Sequence, residues 1–284
     1  MLIGAVSVSF AAIFIRLADA HPLIIAAYRI GIASVIILSF TWKKVFIAIQ
    51  SISKHTFTLV ILAGTFLAAH FYLWITSLEY TTVASSVVLV TANPVFIAIA
   101  SYLLWKERLG RGAVLGIVVA IAGVVVINFG NISLNSDSFY GNTLAIVAGL
   151  MAASYLLIAR MLRNKIDAIV YLTLVYTISA VILIVSAIVL KLPFMGYSGE
   201  TYLMFVLLAL IPQILGHSSF NLAARLIPVT LVSMAILGEP VGATILGIFI
   251  LGEQPGIKEL LGGSIIILGI FLVLRNGIKY PGTL

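Results

Sequence analysis

Ten apolar runs, most of them about as long as a bilayer is thick, follow one another along this chain. A helix needs about 20 apolar residues to cross the hydrocarbon core of a membrane, where its backbone can bond only to itself. The predicted segments are Leu2–Ala18, Leu23–Trp42, Thr56–Leu78, Val83–Trp105, Ala113–Phe129, Asn142–Met161, Ala168–Leu190, Thr201–Leu222, Pro228–Leu251 and Leu260–Leu274. We therefore predict an all-α integral membrane protein with ten transmembrane helices.

The composition agrees with this class and excludes others. Of the 284 residues, 62% are hydrophobic and only 9% are charged, and the mean hydropathy is +1.24. A soluble domain carries about a quarter charged residues. The net charge of +7 does not indicate a nucleic-acid partner, because most basic residues lie at the ends of apolar runs. No Cys is present, and the first run lacks a preceding basic region, so we expect a membrane helix there rather than a signal peptide.

The distribution of basic residues predicts the orientation of the chain. If the N-terminus is cytoplasmic, 12 of the 16 Lys and Arg fall in cytoplasmic loops. Lys191 and Lys258 then lie outside, and Arg16 and Arg29 lie at membrane depth. The opposite orientation would place those 12 residues outside. We therefore expect a multi-pass protein of the cell (inner) membrane with both termini in the cytoplasm.

The two halves of the chain resemble each other at a shift of 146 residues. Residues 81–126 and 227–272 align without a gap, and 10 of the 46 pairs are identical. Pro94 falls on Pro240, and three glycines and one glutamate also coincide. We interpret this pattern as a duplication.

A repeat of five helices has an odd number of crossings, so its second copy must enter the membrane upside down. Inverted repeats of this kind are typical of transporters, with the substrate site near the bilayer midplane at the repeat interface. We predict a first five-helix repeat at residues 1–130, a linker at 131–140 and a second, inverted five-helix repeat at 141–284.

Short motifs lie in or beside several of the predicted helices. They are Asn93-Pro94 followed by Lys106-Glu107-Arg108-Leu109, Glu239-Pro240 followed by Leu251-Gly252-Glu253, and Gly216-His217 with Asn221 beyond. Together they resemble the motifs of the EamA-type family of the drug/metabolite transporter superfamily. The resemblance covers essentially the whole chain. It implies a ten-helix secondary transporter for a small molecule, most similar to the family's exporters of amino acids and related metabolites, and it implies no cofactor.

One carboxyl group lies in the middle of the ninth run. Glu239 is the only ionisable side chain in residues 226–251, and Pro240 follows it. A charge at this depth is costly and normally faces a bundle interior or a water-filled cavity. Arg29 lies at a similar predicted depth, so we expect the two to pair directly or through water, for structure alone or for substrate binding. Since proline kinks or opens a helix, Pro94 and Pro240 are candidate hinges for gating.

Other polar and aromatic side chains at membrane depth are candidates for the substrate site. Such sites are mostly apolar with a few placed polar groups. His70 and His217 are nearly equivalent under the repeat, and we expect them at opposite ends of one cavity. The other candidates are Phe14, Trp74, Ser86, Asn93, Tyr155, Gln213 and Asn221. For each of these side chains, packing in the core or between helices is the alternative.

Glycines recur seven residues apart in the fifth and tenth runs. They are Gly116, Gly123, Gly262 and Gly269. Small residues at this spacing allow helices to approach closely. We therefore expect these two helices to pack at the periphery of the site rather than to line it.

The function predicted from these features is secondary transport of small metabolites by alternating access, in the direction of export. The chain has no G-x-x-x-x-G-K-[ST] loop for ATP and no metal-ligand spacing of His, Asp and Glu. A passive channel, or an uptake carrier for another metabolite, is the alternative. An enzyme is disfavoured, because adjacent residues such as His217 and Ser218 do not face each other on a helix. The sequence leaves the oligomeric state open.

Overall fold

Helices make up nearly all of the described chain. The structure is a computed structural model that describes residues 2–106, 108–129, 136–220, 238–276 and 278–279. In chain order the helices are α1 (Leu2–Ser9), α2 (Ala11–Leu17), α3 (Pro22–Ser51), α4 (Lys54–Tyr80), α5 (Val83–Val90), α6 (Asn93–Trp105), α7 (Arg111–Phe129), α8 (Ser136–Leu162), α9 (Ala168–Val189), α10 (Gly199–Leu208), α11 (Gly238–Leu251) and α12 (Ile257–Asn276). A π-helix, Ala209–His217, continues α10. Two short strands, β1 (Arg108–Leu109) and β2 (Ile278–Lys279), pair antiparallel.

Ten apolar helical stretches are present in the described residues. Seven are long enough to cross a membrane by length and composition. These are Pro22–Ser51, Lys54–Tyr80, Val83–Leu104, Asp137–Leu162, Ala168–Val189, Gly199–Phe220 and Ile257–Arg275. Three shorter ones are Ile3–Leu17, Arg111–Ile127 and Gly238–Leu251. The predicted helical class and the ten helices are confirmed, and the inverted arrangement of the repeats stays a prediction.

Some helix boundaries differ from the predicted ones. The second predicted helix does not end at Trp42 but continues to Ser51. Long Lys side chains can extend towards water while the helix goes on, so the Lys pair at 43–44 is not a stop signal. The chain turns where Ser53 accepts a hydrogen bond from the Thr56 N–H and caps α4. Helix α8 begins at Ser136, within the stretch predicted as the linker, and the division of the chain into repeats stays a prediction.

The fourth predicted helix is interrupted. It divides into α5 and α6 at Thr91 and Ala92, directly before Asn93 and Pro94. Pro94 lacks an N–H, and it occupies the first turn of a new helix, where no internal donor is needed. The Thr91 hydroxyl donates to the Val87 carbonyl at 2.7 Å. The chain therefore has a built-in break at this proline.

Two glycine pairs bring α7 and α12 into close contact. Gly116 faces Gly269, and Gly123 faces Gly262, so the helices run antiparallel. A Cβ on Gly123 would come within 2.7 Å of the Gly262 carbonyl oxygen. The predicted close packing of these two helices is confirmed.

Helices α3, α4, α8 and α9 form much of the main core. Hydroxyl pairs join α3 to α9, with Ser34 Oγ 2.9 Å from Thr177 Oγ1 and Thr41 Oγ1 3.1 Å from Thr173 Oγ1. Such bonds are a common link between helices in lipid. Gly64 of α4 lies so near α9 that a Cβ would come within 2.6 Å of an Ile178 methyl group.

A polar network ties together one end of the bundle. Arg16 pairs with Glu253 at 3.2 Å and donates to the Thr81 carbonyl at 2.9 Å. Glu253 also accepts from the Val83 N–H at 2.9 Å, which caps α5. The Thr81 hydroxyl donates to Asn142 Oδ1 at 2.8 Å. Arg16 lies in the last turn of α2, from which it joins this helix to Thr81 and Glu253, and its depth in the membrane stays a prediction.

We predict that Gly123→Val lowers the thermal stability of the purified protein. The added methyl groups would collide with backbone atoms of α12, and such overpacking costs about 1–3 kcal/mol. The change in melting temperature in detergent measures this effect. Gly199→Val is the matched control, because a Cβ on Gly199 meets nothing within 4 Å. Equal melting temperatures for the two variants would contradict the assigned contact.

Candidate functional site

The guanidinium of Arg29 is the most deeply buried charged group at the centre of the site. Arg29 lies in α3, about 10 Å from the helix start at 1.5 Å per residue, and it is 0% exposed. Its Nε donates to Gln213 Oε1 at 2.9 Å. Its Cζ lies 4.3 Å from the Phe71 ring centroid and 5.6 Å from that of Trp74. One hydrogen bond and two aromatic faces therefore hold this charge inside the protein.

Gln213 reaches Arg29 from the π-helix. Pro212 lies within this segment and supplies no N–H, and its ring opposes a regular α-helical turn. Widened turns of this kind are frequent at functional sites. The Ser218 hydroxyl donates to the Gln213 carbonyl at 3.2 Å. Gly216 allows close approach to α1, since a Cβ there would come within 2.6 Å of a Val8 methyl group.

No direct ion pair joins Glu239 to Arg29, and the predicted pairing through water stays a prediction. It lies in the first turn of α11 and is 6% exposed. Within the described residues, the ion pair in the structure is Arg16 with Glu253, and Arg29 bonds to Gln213 instead. Glu239 is within electrostatic range of Arg29. The two opposite charges thus share one buried region without touching.

Both predicted histidines belong to the same cluster. His70 Nδ1 lies 2.9 Å from the Ala148 carbonyl oxygen. A carbonyl can only accept, so this nitrogen carries the proton. The His70 ring packs 4.7 Å from Phe71, and the His217 ring meets Phe71 edge-on at 6.1 Å. The two rings therefore lie on one phenylalanine rather than at opposite ends of a cavity, and that expectation was wrong.

Several polar atoms around Arg29 have no hydrogen-bond partner among the described residues. They are Nη1 and Nη2 of Arg29 and Nε1 of Trp74, together with the Tyr176 hydroxyl, which lies beside the side chains of Gln213 and Ser218 without a well-formed hydrogen bond. Trp74 is 2% exposed and its ring lies parallel to that of His70. Tyr176 is also 2% exposed and lies within electrostatic range of Arg29. These atoms give the centre of the bundle an excess of donors.

Only some of the residues predicted to contact substrate lie in the cluster around Arg29. Ser86 bonds through its hydroxyl to Ser77 at 2.6 Å, which links α5 to α4. Phe14 stacks on Phe10 within the first span. Tyr155 accepts the Tyr171 hydroxyl through its backbone carbonyl at 3.2 Å. These residues therefore have packing contacts, and their predicted contact with substrate stays a prediction.

The two remaining predicted residues are Asn93 and Asn221. Asn93 begins α6 at the helix break and is half-buried. Asn221 lies outside the described residues.

Three site residues were missed by reasoning from the sequence. Phe71 supports the charge and both histidines, and Tyr176 contributes a buried hydroxyl. Nothing in the pattern distinguishes these two from ordinary apolar positions. Pro212 did carry a signal, since a proline inside a long apolar run indicates a local departure from the α-helix.

Comparison with known proteins identifies the family. The sequence profile of the EamA-like transporter family matches residues 1–129 and 139–275. The chain belongs to the EamA-like transporter family. The membership predicted from the short motifs is thus confirmed.

Similar proteins agree with this family assignment. An "uncharacterized transporter" of Archaeoglobus fulgidus is 25% identical over 269 residues, covering 93% of this chain and 91% of the relative. The "uncharacterized transporter YetK" of Bacillus subtilis strain 168 is 29% identical over 256 residues, covering 87% and 76%. A solved crystal structure shares the fold with a TM-score of 0.67, at 18% identity and 96% coverage of both chains. The family and these names indicate a multi-pass membrane transporter rather than an enzyme.

We predict that Gln213→Leu destabilises the protein, because it leaves the Arg29 Nε–H buried without an acceptor. Losing one partner of a bond to a charged group costs about 1.5–3 kcal/mol. The double variant Arg29→Met with Gln213→Leu should recover most of that loss, since both polar groups are then gone. Thermal unfolding in detergent measures all three variants. Additive losses in the double variant would contradict the Arg29–Gln213 bond.

Proposed function

We propose that this EamA-like protein is a secondary transporter that exports small metabolites, namely amino acids or related solutes, across the cytoplasmic membrane by alternating access. The observation that carries the proposal is the buried polar cluster around Arg29 in a multi-pass transporter. Ionisable groups within membrane spans are costly, and they mark substrate and ion pathways.

The charges of the cluster suit a small zwitterion. Arg29 and Glu239 are both buried and lie within electrostatic range without direct contact. A solute with a carboxylate and an ammonium group would complement both. We propose that His70, Trp74 and Gln213 complete the surface that contacts it. The other predicted contacts are Phe14, Ser86, Asn93, Tyr155, His217 and Asn221.

Two observations support the proposed inverted repeats at residues 1–130 and 141–284. The family profile matches the chain twice, once in each half. The α7–α12 contact is also reciprocal, because Gly116 faces the equivalent of Gly123, and Gly123 faces the equivalent of Gly116, at the shift of 146 residues. An interface between two copies of one surface has this property.

The proposed hinges are Pro94 and Pro240. Pro94 follows the break between α5 and α6, and Pro240 lies in the first turn of α11. At Pro94 the helix is already interrupted, so its bend can change without breaking further backbone hydrogen bonds. Rocking of the two repeats about the central cluster would use these positions.

The proposed orientation keeps both termini in the cytoplasm. The strands β1 and β2 bring the end of α6 and the end of α12 to one end of the bundle. Arg108 and Lys279 pair in this register, so two residues predicted to be cytoplasmic are neighbours. The network of Arg16 and Glu253 would then close the outer end.

We predict transient accumulation of a labelled amino acid in proteoliposomes that contain an excess of the unlabelled amino-acid mixture. Such counterflow requires a carrier, because a channel lets both pools equilibrate without an overshoot. Glu239→Gln should lower the initial rate at least tenfold if the carboxylate contacts solute, and Pro240→Ala should slow it severalfold. The matched control is Glu200→Gln, which changes an exposed carboxylate in the first turn of α10 and should leave the rate unchanged.

An overshoot that is equal for Glu239→Gln, Pro240→Ala and the control would contradict the proposed roles of Glu239 and Pro240. Equilibration without an overshoot would favour the passive channel. No uptake of any amino acid would remove this solute class from the proposal.

A further inference from the structure

We propose that Arg29, Trp74 and Tyr176 form a subsite that binds the carboxylate group of the transported solute. The proposal deepens the transport function proposed above and rests on it. It assigns a defined chemical group of the solute to three side chains, of which Arg29 and Trp74 carry buried donor atoms that make no hydrogen bond among the described residues.

The buried polar atoms of this subsite are nearly all hydrogen-bond donors. Nη1 and Nη2 of Arg29 and Nε1 of Trp74 can only donate hydrogen bonds, and the Tyr176 hydroxyl can donate one. Nη1 and Nη2 of Arg29 and Nε1 of Trp74 make no hydrogen bond within the described residues, whereas the Tyr176 hydroxyl lies beside the side chains of Gln213 and Ser218. A ligand that fits such a set must be rich in acceptors. An ionised carboxylate has two oxygens that only accept.

The positions of these groups are consistent with a shared ligand. The guanidinium carbon of Arg29 lies 5.6 Å from the Trp74 ring centroid, and Tyr176 is within electrostatic range of it. Gln213 already occupies the Nε side of the guanidinium at 2.9 Å. The two Nη atoms therefore remain available, and this fork matches the two oxygens of a carboxylate.

The charge balance favours a carboxylate over a phosphate. The cluster contains one arginine, and a buried Glu239 lies within electrostatic range of it. A second negative charge on the ligand would meet that glutamate without a second arginine to offset it. A solute with one carboxylate avoids this, and an ammonium group on the same solute would be attracted to Glu239.

A purely structural role does not explain the arrangement. A structural arginine in the interior gains stability by satisfying its donors, and leaving a charged donor unpaired costs several kcal/mol. Here the aromatic rings of Phe71 and Trp74 cover the face of the guanidinium, while its two terminal nitrogens stay unused. Face contacts keep the charge in place and leave its hydrogen-bonding edge for a ligand.

The fluorescence of Trp74 can report carboxylate binding without a transport assay. The chain has three Trp residues, so Trp42→Phe with Trp105→Phe leaves Trp74 as the only one. The fluorescence of this variant in detergent is titrated with sodium salts of acetate, phenylacetate and 4-methylpentanoate at constant ionic strength. Each acid is matched by its neutral amide, which has nearly the same shape and apolar surface.

We expect a saturable fluorescence change with at least one carboxylate and no comparable change with its amide. Arg29→Gln should weaken that binding at least tenfold. Glu239→Gln should strengthen it, because it removes a nearby negative charge. If Arg29→Gln does not fold, Tyr176→Phe removes a single hydroxyl and should weaken binding severalfold.

Three results would overturn the proposal. They are an equal response to acid and amide, binding that is unchanged in both Arg29→Gln and Tyr176→Phe, and no response to any carboxylate tested. The counterflow assay distinguishes failure of the proposed subsite from failure of the proposed transport function. Counterflow with no carboxylate response refutes the subsite alone, whereas a carboxylate response without counterflow refutes the carrier and leaves the subsite standing.

Discussion

The structure depends on a permanent positive charge that is held away from water inside a membrane protein. An arginine at the centre of a membrane helix costs about 2.5–3.5 kcal/mol on insertion scales, so its surroundings must be arranged for it. Here the Gln213 oxygen accepts from Nε, and the Phe71 and Trp74 rings lie against the guanidinium. Cation–π contacts of this kind can contribute about 2 kcal/mol when desolvated. The position of Arg29 therefore constrains α3, α4 and the π-helix at once.

The helices beside the Arg29 cluster are irregular, whereas those farther from it are regular. The spans that surround or adjoin the cluster include the π-helix Ala209–His217 and the break at Thr91–Ala92. By contrast, α7 and α12 are continuous and pack through glycines. A close glycine contact resists sliding, because backbone meets backbone. Irregular helices at the centre and a tightly packed pair at the periphery suit a carrier whose site must change shape within a stable frame.

Most of the fold could be predicted from the sequence, because lipid imposes one strong rule. Each span must be a long apolar helix, and polar punctuation therefore locates ten of them. The site could be predicted only in part. The charge on Arg29 suggested an ionic partner, and the structure instead provides Gln213, which reaches Arg29 because Pro212 lies in a widened helical turn. The repeat alone suggested that His70 and His217 lie far apart, whereas both rings contact Phe71.

Alternating access is the central claim. It is tested most directly by asking whether Ser218, beside the cluster, can be reached by a reagent from each side of the membrane. Ser218 is 8% exposed, bonds to the Gln213 carbonyl, and differs from Cys in a single atom. The chain contains no Cys, so Ser218→Cys would be the only thiol to react with a membrane-impermeant reagent. Alternating access predicts labelling from the outside in right-side-out vesicles and from the inside in inverted vesicles, with solute changing the two rates in opposite directions. A thiol that reacts from one side only, or whose two rates change together, would contradict the account.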